Sequence, residues 1–187
     1  MRSNAEHKPP RRFSPVMWLL LALAASPLLI SLLRNARPLR ADITPPDRRV
    51  IMPAFTIPDL DGKTWSLDEH RGKVVLVNFF ATWCPPCRSE TPDLVAAAAE
   101  YGPKGLDVVG VSLDRGDAEI VRQFVQQYKI SYPVLMPPSS SPVTENITSI
   151  PVTILLDRQG RVAANTVGAV SASTLGPNIQ TLLAEPG

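Results

Sequence analysis

A chain of 187 residues, 44% hydrophobic and 19% charged, is long enough for one folded domain plus an appendage. Its formal net charge of +2 hides a division: residues 1–40 carry seven Lys or Arg against the single acid Glu6, which leaves residues 41–187 at −4. The basic excess belongs to the tail, and without a basic face on the domain a nucleic-acid partner is excluded.

In chain order, residues 1–15 form a basic tail, expected to be cytoplasmic. Val16–Leu33 then runs 18 residues without a charge, about 27 Å as a helix and close to one bilayer core. We expect a single-pass transmembrane anchor here, with Pro27 tolerable in such a helix. A signal peptide cleaved near Ala22-Leu23-Ala24 is the rival, but apolar sequence resumes beyond it over Leu28–Leu33. Residues 34–50, with Pro38, Pro45 and Pro46 and no apolar period, read as a linker. The folded domain is then expected over 51–187.

Phe55-Thr56-Ile57 and Thr64-Trp65-Ser66 flank Asp59-Leu60-Asp61-Gly62, the signal of a hairpin turning at Asp-Gly. Ser66–Arg71 predicts a short helical turn closed by Gly72. A buried strand is expected over Val74–Phe80, followed by a helix from the cysteines to about Tyr101 that contains Pro92. Leu106–Leu113 predicts a second strand, Asp117 caps a helix running to Tyr128, and Tyr132–Met136 predicts a third strand. Pro137–Pro142 reads as a loop. Val152–Leu156 and Arg161–Val167 form a pair around Asp157-Arg158-Gln159-Gly160, and Ser171–Leu183 predicts a closing helix. Strands alternating with helices and ending in a hairpin imply a mixed sheet with helices on both faces, an α/β fold.

The only cysteines lie in Trp83-Cys84-Pro85-Pro86-Cys87, where the buried strand ends and a helix begins. A pair so close in sequence closes too short a loop to stabilise a fold by chain entropy. It reads instead as a reversible dithiol/disulfide. Cys84 would sit at the helix start, where free amides and the dipole lower its pKa, so it is the expected nucleophile. Cys87, one turn further in, is the expected resolving thiol. Pro85 and Pro86 preset the helix but remove two amides that would have met the sulfur, which favours a more reducing couple. Zinc is disfavoured because His7 and His70 are the only histidines. No cofactor is expected beyond the Cys84–Cys87 disulfide.

The segment Phe79-Phe80-Ala81-Thr82-Trp83-Cys84-Pro85-Pro86-Cys87-Arg88-Ser89-Glu90-Thr91-Pro92 resembles the active-site segment of thioredoxin-like proteins of the TlpA/ResA type, which are membrane-anchored bacterial thiol–disulfide oxidoreductases. The likeness runs from about Met52 to the end of the chain. It implies a thioredoxin-like fold with an amino-terminal hairpin extension. Ser149-Ile150-Pro151-Val152-Thr153 is similar to the segment carrying the superfamily's cis-proline, so Pro151 would be cis and the Ile150 backbone free to pair with an extended substrate. Glu90 resembles an acid that this subgroup places near the thiols, as a modulator of their pKa and a proton relay to Cys87. Trp83 is expected to pack beside the dithiol as a lid, and Pro85 and Pro86 to contact substrate. Thioredoxin carries a buried aspartate where this chain has Asn78, so any relay must use Glu90 or water.

The resemblance implies a catalytic domain on the outer side of a bacterial cytoplasmic membrane, facing the periplasm or cell exterior. Its partners would be exported proteins bearing thiols or disulfides, such as apocytochrome c in cytochrome c maturation, with a transmembrane thiol reductant as donor. A thiol oxidant or isomerase on the same scaffold is the alternative, because direction depends on potential. A thiol peroxidase lacks its expected Pro and Thr/Ser spacing before Cys84. A copper-delivery protein lacks a histidine after His70.

Overall fold

The computed structural model describes residues 43–138 and 141–187. The basic tail, the apolar run Val16–Leu33 and the first part of the expected linker lie outside the described residues. Among the described residues, no helix is long and apolar enough to cross a membrane.

The amino-terminal hairpin is β1 (Thr56–Pro58) and β2 (Thr64–Ser66), paired antiparallel with Ile57 opposite Trp65. Its turn is built by Asp59, whose Oδ1 accepts from the amides of Asp61 and Lys63, while Gly62 takes the positive φ of 79° that other residues rarely adopt. A 3₁₀ turn over Leu67–His70 follows, as the sequence predicts.

The central sheet holds β3 (Val74–Phe80), β4 (Leu106–Ser112), β5 (Val134–Leu135), β6 (Val152–Leu156) and β7 (Val162–Val167), in the order β5-β4-β3-β6-β7. The pairs β3–β4 and β4–β5 are parallel, whereas β3–β6 and β6–β7 are antiparallel. All seven residues of β3 are buried, as a strand covered on both faces requires. The third expected strand shrinks to two residues, because Pro133 has no N–H to give a ladder.

The helices are α1 (Pro85–Tyr101), α2 (Ala118–Tyr128), the single turn α3 (Pro142–Glu145) and α4 (Ala172–Ala184). Asp117 caps α2 as expected, accepting from the Glu119 amide. The loop expected over Pro137–Pro142 stops one residue early, since Pro142 opens α3 with its fixed φ.

The expected helices on both faces are present but very unequal, with only the short α3 and the Leu67–His70 turn on the second face. Val74 and Leu76 pack with α1 and α4 through Leu94, Tyr101, Ile179 and Leu182, and Phe80 packs on Phe124 of α2, so the three long helices share one face. The crossovers β3-α1-β4 and β4-α2-β5 advance in the same direction across the sheet, and right-handed crossovers then put both helices on one side. Val75, Val77 and Phe79 point to the other face, which is covered by Met52, Ile57, Trp65, Leu67 and residues around α3.

The later part of the expected linker is packed onto the domain. Arg49 is 8% exposed and bridges Asp157 Oδ2 at 3.1 Å and Glu185 Oε2 at 2.6 Å. The amide of Thr44 donates to the Ala163 carbonyl and that of Val162 to the Val50 carbonyl. Prolines without apolar period suggest a tether, but one buried guanidinium with two carboxylate partners far along the chain anchors the segment.

Candidate active site

Cys84 and Cys87 form a disulfide at the carboxyl end of β3, where α1 begins. Both are buried, Cys84 at 3% and Cys87 at 0% exposure, in a cluster with Phe80, Ala81, Val121, Phe124 and Val134. Cys84 is the N-cap of α1. Pro85 and Pro86 occupy the first two helical positions without N–H groups, so the first-turn amide that meets the Cys84 sulfur is that of Cys87, at 3.3 Å. On reduction, the helix start would offer a Cys84 thiolate one such amide instead of several, because two prolines stand in the first turn.

The Ile150–Pro151 peptide is cis, and Pro151 is buried while Ile150 is half-buried. The Ile150 carbonyl lies 3.9 Å from the Cys84 sulfur. The structure thus brings Ile150 and Pro151 to the nucleophile from a position 66 residues away. Pro85 and Pro86 are exposed beside them.

Trp83 is a correction. It stands 68% exposed and is no solvent-excluding lid. The dithiol is buried instead by the α2 side chains and Ile150, so the indole is left on the surface next to the nucleophile, where an amphipathic ring suits contact with another protein.

Glu90 lies one turn beyond Cys87 on α1 and is 1% exposed, not the partly exposed helix residue its polarity suggests. Its Oε1 accepts from Asn78 Nδ2 at 2.8 Å and its Oε2 from the Val170 amide at 2.8 Å. Burial pushes its pKa above the ordinary carboxylate value, against the two hydrogen bonds, which favour the charged form. Asn78 also donates to Thr153 Oγ1 at 3.1 Å, in the strand that follows the cis-proline. Asn78 therefore joins β3, α1 and β6 as a donor to the buried acid. Asp93, one turn on from Glu90, accepts from the Ala172 amide, so α1 holds the chain entering α4 at two points.

The sequence reading missed Asp114. Its carboxylate accepts from the Thr82 amide at 2.9 Å, from Thr82 Oγ1 at 2.6 Å and from Ser112 Oγ at 2.8 Å. It fixes the loop that carries Trp83 and Cys84. The signal was available: Ser112-Leu113-Asp114 follows the carboxyl end of a parallel strand, where turn-forming polar residues shape sites in α/β sheets. Among the described residues, no group of three or more His, Cys, Asp or Glu side chains could hold a metal ion.

The model of the AhpC/TSA family matches residues 49–170. The thiol-disulfide oxidoreductase ResA of Bacillus cereus (strain ZK / E33L) is 32% identical over 132 residues, which cover 70% of this chain and 75% of that protein. The thioredoxin-like protein YneN of Bacillus subtilis (strain 168) is 36% identical over 121 residues, 64% of this chain and 71% of its own. Among solved structures, a thiol:disulfide interchange protein of the thioredoxin family from Chlorobium tepidum TLS shares 33% identity and superposes with a TM-score of 0.67, covering 73% of this chain and 98% of that one. Because the family match spans β3, the dithiol helix and the cis-proline loop, the chain belongs to the AhpC/TSA family of thioredoxin-like proteins, and its chemistry is that of a thiol–disulfide oxidoreductase.

Proposed function

We propose that this oxidoreductase works as a reductant, tethered to the outer side of a bacterial cytoplasmic membrane, on disulfides in exported proteins such as apocytochrome c. The observation that carries the direction is the cap on Cys84, where a single amide meets the sulfur and two prolines stand in place of further donors. A thiolate stabilised so sparingly makes the reduced form less favoured and the couple more reducing. The uncharged run Val16–Leu33 behind a basic tail supports the tether.

In the reduced state, the Cys84 thiolate attacks one sulfur of a client disulfide. The client S–S bond breaks, a mixed disulfide forms through Cys84, and the leaving client sulfur takes a proton. Cys87 then loses its proton and attacks the Cys84 sulfur, which releases the second client thiol and leaves the Cys84–Cys87 disulfide. The client gains two electrons and two protons, and a transmembrane thiol donor restores the dithiol. Glu90, one helical turn from Cys87, is the group proposed to take that proton, directly or through water. The disulfide itself carries the electrons, and no cofactor is part of the proposal.

The test is the reduction potential of the full-length protein in detergent, equilibrated against a thiol buffer of known poise. A value near thioredoxin's, about −270 mV, is expected, whereas one near about −120 mV, that of a strong disulfide donor, would overturn the reductant direction. A reporter fused after Gly187 should be active outside the cytoplasm, and activity confined to the cytoplasm would reject the location.

A further inference from the structure

We infer that the outer edge of β7, with the apolar groove beside it, is a docking site for an extended segment of the client polypeptide. This inference rests on the oxidoreductase reading, under which the clients are polypeptides bearing thiols or disulfides. The amide of Gly168 donates to the Pro151 carbonyl at 2.8 Å. By the alternation of an antiparallel ladder, Thr166 and Ala164 then face β6, and Asn165 and Val167 turn their backbone groups outward. The amino-terminal segment covers the other end of this edge, through Thr44 at Ala163 and Val50 at Val162. No backbone group among the described residues pairs with the outward side of Asn165 or Val167. An unpaired, accessible strand edge is a template for adding one more strand.

The groove supplies what such a strand would bury. It encloses about 790 Å³ between β7, residues 50–57 and the segment around α3. Val50, Ile51 and Val167 line it while standing 68%, 59% and 66% exposed. Glu145 is the one charged residue among those lining it. The occupant it fits is an extended chain with apolar side chains at alternate positions and no acidic groups. Its lining also includes Ser149 and Val152, the residues on either side of Ile150–Pro151. A client strand on β7 therefore leads to the Ile150 carbonyl, 3.9 Å from the Cys84 sulfur. Affinity comes from the edge, and the cysteine is delivered by the chain that continues from it.

The test compares Val167→Pro with wild type, both full-length, on three disulfide probes. One is a synthetic peptide with Val-Thr-Val beside its cysteine, the second has Asp in place of those valines, and the third is oxidised glutathione, which is too small to reach the groove. Proline removes the outward N–H of an edge strand, keeps an apolar side chain at the groove and leaves the ladder to β6 intact. For the apolar peptide, KM should rise about fivefold, the effect of one lost hydrogen bond, with kcat and glutathione turnover unchanged. Val167→Thr, which keeps the N–H but makes the lining more polar, should raise that KM by less than Val167→Pro does, and wild type should prefer the valine peptide to the aspartate one. Equal KM values in Val167→Pro and wild type would overturn the proposal, as would a parallel loss on glutathione, which marks a merely structural effect. A wild-type dimer that Val167→Pro dissociates would assign the edge to a second copy. A photocrosslinker at Ile51 that captured residues 1–42 of its own chain would assign the groove to that segment. Either result would overturn the proposal. Wild type inactive on all three probes would instead reject the oxidoreductase reading itself.

Discussion

Glu90→Gln probes the one buried acid beside the dithiol. The substitution preserves shape and turns one of two accepting oxygens into an NH₂ donor. If that NH₂ meets the Val170 amide, two donors face each other in a site where the side chain is 1% exposed. A buried donor left without a partner costs about 1–3 kcal/mol. If it meets Asn78 instead, that amide rotates to present its oxygen, and the present bond to Thr153 Oγ1 must be rebuilt with the hydroxyl as donor. The cost then falls to about 1 kcal/mol, one rearranged hydrogen bond. Against either cost stands the charge that wild type buries and the variant does not.

The balance therefore depends on pH. Glu90 in the fold holds its proton more tightly than in the unfolded chain, since burial raises its pKa above the ordinary 4.5. Protonation then favours the folded state, so wild type gains stability as pH falls through the raised value toward 4.5. Glu90→Gln lacks this gain. Urea unfolding of both proteins at neutral pH and near the ordinary carboxylate value isolates it, because the other acids cancel in the difference. We expect the stability deficit of the variant to widen at the lower pH. A deficit equal at both would mean that burial does not perturb Glu90 and would refute the reasoning. The same variant should lower the apparent pKa of the reduced thiols, because an ionised neighbour disfavours a second negative charge. Alkylation rates against pH that overlay wild type would show that Glu90 is not coupled to the cysteines.

Cys84→Ser should abolish insulin reduction, and Cys87→Ser should accumulate a mixed disulfide through Cys84 that mass spectrometry detects; residual turnover in Cys84→Ser would break the dithiol mechanism. Asp114→Ala withdraws the acceptor shared by Thr82 and Ser112 and should cost about 2 kcal/mol of stability by urea titration, with a lowered kcat. A loss under about 0.5 kcal/mol, the range of an ordinary surface change, would show that the loop is held by other contacts. Arg49→Ala leaves Asp157, 2% exposed, with Arg161 as its remaining ion-pair partner and should cost about 3 kcal/mol, visible as a lower urea midpoint. A change confined to a few tenths would return residues 43–50 to the status of a tether.

What the sequence made legible was local. The apolar run before Trp83, the two-residue cysteine spacing, the Asp-Gly turn and the Asp117 cap each act within a few residues, and the structure forms the elements they call for. Pro151 was legible through its resemblance, and the peptide before it is cis. The environment of Glu90 was not. Spacing places it one turn from Cys87, but its burial depends on Val170, 80 residues away, and on Asn78 in the neighbouring strand. The alanine-rich sequence of α1 offers no sharp apolar stripe from which to infer the buried face. Trp83 misled in the opposite sense, because aromatic character favours burial while the loop fixed by Asp114 leaves the indole outside. The placement of α1 and α2 on one face follows from crossover handedness and strand order together, and strand order is a tertiary fact.

The placement of Arg49 bears on which face of the domain is left for clients. The dithiol sits at the carboxyl end of β3 and beside the start of β6, whereas Asp157, which Arg49 grips, follows the last residue of β6. Five residues of strand at about 3.3 Å each separate the two by roughly 16 Å. Thr44 meets Ala163 at that same far end, opposite the last residues of β6. The chain thus enters the domain at the end of the sheet remote from Cys84 and is fastened there by a buried ion pair. A chain entering at the other end would run past the cis-proline loop and compete with clients for it. With the amino-terminal segment held at the far end, Trp83, Pro85 and Pro86 stay exposed and the half-buried Ile150 stays beside them, so the face that carries the nucleophile is left for a partner protein.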